Sequence, residues 1–154
     1  AQDSQILKDK VLQISGMLWE RTNGGLSAVI PPMPPSILAR NIADHLQRAT
    51  QQISSGKILA CHALVFDATS IWKIDPSGQF WKCRASAIGR SQYTVEARLI
   101  EKFRSNLSYH EAVCLAVEAI QTVVPKNRKL FGITIRNRTK TIMDLNHDML
   151  TEHL

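Results

Sequence analysis

A layered α+β fold is what this sequence predicts, and three observations predict it. Strand-length apolar runs cluster in residues 57–85 and 129–145. Apolar residues recur at helical spacing over 36–52, 91–104 and 108–124. The order is strand, helix, several strands, two adjacent helices, two strands, helix, and consecutive antiparallel strands followed by paired helices make an α+β layered domain. A chain of 154 residues suits one core, so a single domain over 1–154 is expected.

The strongest compositional break is Pro31-Pro32-Met33-Pro34-Pro35, preceded by Gly24-Gly25. Prolines at this density forbid helix and ladder hydrogen bonding, which predicts a stiff extended lead-in. A helix then follows from Ser36 to Gln52, with Ile37, Leu38, Ile42, Leu46 and Ala49 as its apolar stripe. Pro35 suits its first turn, and Arg40, Asp44 and Arg48 line a polar face.

Lys57 to Asp67 is almost continuously apolar and reads as a strand buried on both faces. Ser70–Asp75 and Gln79–Ala85 read as a hairpin around Asp75-Pro76-Ser77-Gly78, where Pro presets φ and Gly tolerates φ > 0. Ala87-Ile88-Gly89-Arg90 leads into a helix over Ser91–Arg104, with Val95, Leu99 and Phe103 four residues apart. Ser108-Tyr109-His110-Glu111 is a capping-box pattern opening a helix through Val124, which Pro125 stops. Lys129–Arg136 and Thr139–Leu145 read as strands around an Asn137-centred turn, and Asn146 caps a final helix to Leu154.

Composition bounds the function. Hydrophobic residues make up 44% and charged residues 21%, an ordinary globular balance. No apolar run approaches the roughly 20 residues of a membrane helix, and Ala1-Gln2-Asp3-Ser4 shows no signal-peptide pattern. Cys61, Cys83 and Cys114 are odd in number and far apart. They read as reduced core thiols of an intracellular protein, cytoplasmic or nuclear, with an organelle left open. The net charge of +6 suits nucleic acid or an acidic partner, but Lys and Arg are spread along the chain. The densest spots, Lys126–Lys129 and Arg136–Lys140, read as solvated loops.

The ordered set Ile74-Asp75-Pro76-Ser77-Gly78, the aromatic strand with Phe80 and Trp81, Ala87-Ile88-Gly89-Arg90, and a helix with Glu96, Leu99, Glu101 and Lys102 resembles the α-type subunits of the proteasome family. The Ser108–Val124 helix and the closing strand-strand-helix fit the same order. The likeness covers roughly Pro34 to Leu154. It implies the α/β/β/α sandwich of the Ntn-hydrolase type, with two antiparallel sheets between helical layers. It also implies seven-membered rings stacked on proteolytic rings, and subunits without a nucleophile that gate substrate entry and receive activators. The chain departs from the family at its start. The gate tail and first strand pair are not found, so the fold is expected to be N-terminally reduced. Lys10–Gly16 matches the strand that follows, Met17–Ile30 replaces a helix, and Lys8 or Lys10 lies near the activator pocket.

The catalytic relatives use an N-terminal Thr, whereas this sequence begins with Ala1; Ser4 and Thr22 are internal. Cys61 and His62, adjacent on a strand, point to opposite faces and form no dyad. His110-Glu111 sits at a helix start, where Glu111 has a capping role; His147, Asp148 and His153 lie in the last helix, where the neighbours His147 and Asp148 share no face, and no metal site is expected there. Trp72, Phe80 and Trp81 near Lys73 and Lys82 could stack on single-stranded nucleic acid. The favoured reading packs one aromatic face in the core and turns the lysines to water. Asp75, Pro76, Ser77, Gly78 and Gly89 are read as structural. The expectation is a non-catalytic structural subunit of a proteasome-like hetero-oligomer, with no cofactor, metal or membrane, contributing to ring formation and partner docking. The alternative is a basic scaffold of a ribonucleoprotein that reuses the fold.

Overall fold

The computed structural model describes residues 2–23, 33–51, 57–125, 128, 130–136 and 139–145, with the backbone alone for 18–23, 134–136 and 139–145. The chain divides into two compact units, Ala1–Arg84 and Ala85–Leu154. Helices with a three-stranded antiparallel sheet and a separate strand pair make the fold α+β.

The first unit opens with α1, Gln2–Asn23. The strand expected at Lys10–Gly16, and the reading of Met17 onward as a replaced helix, are therefore corrected. The cause is visible in the spacing. Leu7 is buried and Val11 and Ile14 half-buried, at i, i+4 and i+7, while Lys8, Asp9, Leu12 and Gln13 face water. Gln5 donates to Asp9 across one turn, and Lys10 donates to Gln13. Asp3 in the first turn complements the helix dipole.

Helix α2 spans Pro35–Gln51. Pro35 takes the first helical position, where its missing N–H is an orphan in any case, and the Pro34 carbonyl accepts from the amides of Ile37 and Leu38. Ala39, Ile42, Ala43 and Leu46 form its buried stripe. Pro31 and Pro32 of the expected connector lie outside the described residues.

Strands β1 (Ala63–Phe66), β2 (Ile71–Ile74) and β3 (Phe80–Cys83) pair antiparallel in that order. Ala63, Val65, Trp72, Ile74 and Phe80 share one face by register and pack with α2, Leu7 and Leu59 into one core. Ile74 is completely buried. The long two-sided strand predicted for Lys57–Asp67 shrinks to four residues, none of them buried. Its partner β2 is itself only four residues long, so residues 57–62 have no ladder to join. They serve the core differently. Leu59 and Cys61 pack inward, and Asp3 of α1 holds the segment through Lys57 Nζ at 2.6 Å and the Ala60 amide at 3.3 Å.

In the second unit, α3 (Gln92–Lys102) and α4 (Tyr109–Gln121) lie side by side. The capping box predicted at Ser108 is present: Ser108 Oγ accepts from the Glu111 amide, and Glu111 accepts from the Ser108 amide at 2.7 Å. Arg98 and Lys102 of α3 both reach Glu118 of α4, at 2.5 and 2.6 Å. Strands β4 (Leu130–Arg136) and β5 (Thr139–Leu145) form an antiparallel pair closing at Arg136 opposite Thr139. Phe131 and Ile133 stand exposed on β4. The helix expected from Asn146 to Leu154 lies outside the described residues.

Two variants test this frame. Ile74→Ala should cost about 2–5 kcal/mol by opening a cavity between β2 and α2, read as a lower urea midpoint by tryptophan fluorescence. Ser108→Ala should cost about 1 kcal/mol, read as faster amide exchange at the start of α4.

Candidate functional site

The β2–β3 turn is the motif on which the sequence reading rests. Residues 75–79 close it with two layers of hydrogen bonds. The Gly78 amide donates to the Asp75 carbonyl at 3.1 Å, and the Asp75 amide donates to the Gln79 carbonyl at 3.0 Å. Inside this ring, Asp75 Oδ1 accepts from the Ser77 amide at 2.9 Å, Ser77 Oγ at 2.6 Å and the Gln79 amide at 3.0 Å. Pro76 follows the aspartate and needs no hydrogen-bond partner on nitrogen. Burial pushes the Asp75 carboxyl up, but the Ser77 and Gln79 donors and the nearby His62 outweigh it and hold the group below the usual range.

Gly78 has φ +88°, which an L side chain rarely adopts. The space matters as much as the torsion. A Cβ there would stand 2.6 Å from the Ala43 carbonyl oxygen and 2.6 Å from Gln47 Cβ. The turn therefore lies directly on the backbone of α2. Gly89, before α3, has φ +116° but nothing within 4 Å of a Cβ. Its requirement is torsional alone. Its carbonyl accepts from the Gln92 amide at 3.2 Å.

The sequence reading missed three devices. Asp67 fastens the β1–β2 turn as Asp75 fastens the next: its Oδ1 accepts from the amides and hydroxyls of Thr69 and Ser70. The shared signal is an aspartate followed two residues later by a hydroxyl, in Asp67-Ala68-Thr69 and Asp75-Pro76-Ser77. Glu96 Oε1 accepts from Ser86 Oγ at 2.7 Å and the Ala87 amide at 3.2 Å, tying the Ala-Ile-Gly loop onto α3. His110 Nε2 and Cys114 Sγ lie 3.5 Å apart, one turn apart on α4.

The expected chemistry takes specific places. Trp72 and Phe80 pack in the core with ring centroids 5.8 Å apart, while Trp81 is 42% exposed. Lys82 faces water but Lys73 does not, which corrects the expectation for it. Lys73 is buried, with Nζ 5.9 Å from the centre of the Trp81 ring, as their direct register pairing allows. Cys61 lies in the irregular segment before β1, and burial and the Asp3 carboxylate push its thiol up, away from thiolate reactivity. All three cysteines are half-buried free thiols, and Cys61 packs against the core. Among the described residues no group of three or more His, Cys, Asp or Glu side chains converges as a metal site, and no helix is long and apolar enough to cross a membrane. His147, Asp148, His153 and Arg138 lie outside the described residues.

Two outcomes follow from the turn. Gly78→Ala should cost at least about 2 kcal/mol, and clearly more than Gly89→Ala, because only the first meets α2; urea unfolding compares them. Asp75 has a lowered folded pKa, so its contribution is complete above the ordinary carboxylate range near about 4 and disappears as pH falls through the folded value. The stability gap between the wild type and Asp75→Asn should therefore be widest near neutrality and close on acidification.

Comparison with known proteins agrees with this geometry. The family model described as "Proteasome subunit" matches residues 30–135. The proteasome subunit alpha of Thermococcus sibiricus is 27% identical over 142 residues, 88% of this chain and 52% of the relative. Proteasome subunit alpha 1 of Haloferax volcanii is 26% identical over 129 residues, 80% of this chain and 51% of the relative. The proteasome subunit alpha of Aeropyrum pernix is 28% identical over 120 residues, 74% of this chain and 43% of the relative. The chain thus spans about half the length of the curated relatives it matches. With the turn, the loop and the paired helices inside the matched segment, the chain belongs to the proteasome subunit family, and the relatives it matches are of the α type.

Proposed function

We propose that the chain is a non-catalytic structural subunit of a proteasome-like assembly, contributing to ring formation and to docking of partner chains. The observation that carries this reading is the family match across residues 30–135, shared with subunits named as α type. The turn residues Asp75, Pro76, Ser77, Gly78 and Gly89 act in it as scaffold: they fix chain direction and carry no chemistry. The full architecture in this reading is a layered α/β/β/α sandwich of the Ntn-hydrolase type, in a single domain over residues 1–154.

Exposed apolar side chains favour an assembled state over a solitary one. Phe131 is 71% exposed, Ile100 80% and Tyr93 78%. Other proteasome-type subunits are the natural partners. The working compartment in this reading is the cytoplasm or nucleus.

The test is the native mass of the particle purified through this chain, with mass spectrometry of every co-purifying polypeptide. Proteasome α- and β-type chains in a large particle are the expected outcome. An isolated monomer, or a ribonucleoprotein whose formation falls steeply with salt, would contradict it. The second of these would move the function to the basic-scaffold alternative.

A further inference from the structure

Helix α1 packs on α2 with few points of attachment. Among its described side chains Leu7 alone is buried, with Val11 and Ile14 half-buried beyond it, while Ile6, Leu12 and Met17 are exposed. Its N-terminal end is fastened to the segment before β1, where Asp3 accepts from Lys57 Nζ at 2.6 Å and from the Ala60 amide at 3.3 Å. An element held by so little buried apolar surface opens locally before the core does.

The seam between the two helices carries a pair of half-buried bases. Lys10 follows the buried Leu7 by three positions on α1, and His45 follows the buried Ile42 by three on α2. The charged groups set against the His45 ring are Lys10 from α1 and Arg48 from α2; among the described residues the strands packed on α2 add none. Both are cations. Burial first, then Lys10 and Arg48, hold the imidazole below its ordinary value.

We infer that α1 is a proton-sensitive strap: it lies closed on α2 while His45 is neutral, and it is released when His45 takes up a proton beside the cations of Lys10 and Arg48. Protonation adds a charge to a half-buried seam and sets it against like charges. Withdrawal of α1 relieves the burial and the Lys10 repulsion together. The direction follows from linkage. The closed state holds the imidazole low, so the open state binds the proton more tightly. The strap is most firmly closed above the ordinary histidine value of about 6.5, and it weakens as pH falls below that towards the folded value. Asp3 keeps its hold over this range, because the bonds from Lys57 and Ala60 keep its carboxyl below the usual carboxylate value. The N-terminal fastening therefore outlasts the seam. Release exposes Leu7, which the closed strap buries.

The experiment is amide hydrogen exchange on the full chain at about pH 7.5 and about pH 5.5, on either side of the histidine range. Rates are corrected for the intrinsic pH dependence of exchange and read separately over residues 4–17 of α1 and 36–51 of α2. Exchange in α1 should be several-fold faster at the lower pH, with α2 unchanged. His45→Gln, which stays polar but cannot titrate in this range, should abolish the difference. Lys10→Glu, which puts an anion where the cation stood, should shrink it, and its place on the other helix keeps the test available if His45→Gln fails to fold. Exchange in α1 indifferent to pH, acceleration of α1 and α2 together, or a pH effect left intact by His45→Gln or by Lys10→Glu overturns the inference.

Discussion

Close approach of one turn to one helix holds the first unit together. At Gly78 the β2–β3 turn meets the backbone of α2 at a separation that leaves no room for a Cβ. That contact sets how far the sheet stands from the helix, and hence which side chains fill the space between them. Ile42, Ala43 and Leu46 on α2 and Ile74 on β2 are buried as a consequence. A close approach of this kind needs a rigid turn. Asp75 supplies the rigidity by taking three donors on one carboxylate oxygen. Torsion, sterics and hydrogen bonding thus agree at one four-residue stretch, and agreement across levels is what makes a fold specific.

The second unit is held by a different principle. Its two helices are joined by charge at one end and by aliphatic packing elsewhere. Glu118 receives both Arg98 and Lys102, and the three side chains are partly exposed. Such pairs contribute on the order of 1 kcal/mol or less each, so they fix the pairing of α3 with α4 more than its stability. An open recess of about 500 Å³ lies between the start of α3 and the end of α4.

Much of this was legible in the sequence because its signals are local. Helical spacing placed α2, α3 and α4 within a few residues, and Ser108 with Glu111 announced its own capping box. Asp75-Pro76-Ser77-Gly78 carried its turn type in its composition. The misreadings came where the deciding partner is distant. Lys57–Asp67 looks like a long buried strand, but strand length is set by the four residues of β2 across from it. The same apolar residues then pack as an irregular segment pinned by Asp3, more than fifty positions away in sequence. Lys10–Gly16 was read through family order rather than through the spacing of Leu7, Val11 and Ile14, which is helical. Lys73 is polar in type but lies under Trp81, a pairing that appears only once register is known. Glu96 gave no sign in one dimension of what it would fasten.

The chain spans about half the length of the curated relatives it matches, and its place in an assembly is the central claim to test. The most direct measurement is electron cryo-microscopy of the endogenous particle at side-chain resolution. The account predicts this chain at a subunit position of a ring, with its three-stranded sheet facing a second sheet and α2 on the outer side. A particle in which the chain sits outside any ring, or in which that sheet faces only solvent, would contradict it.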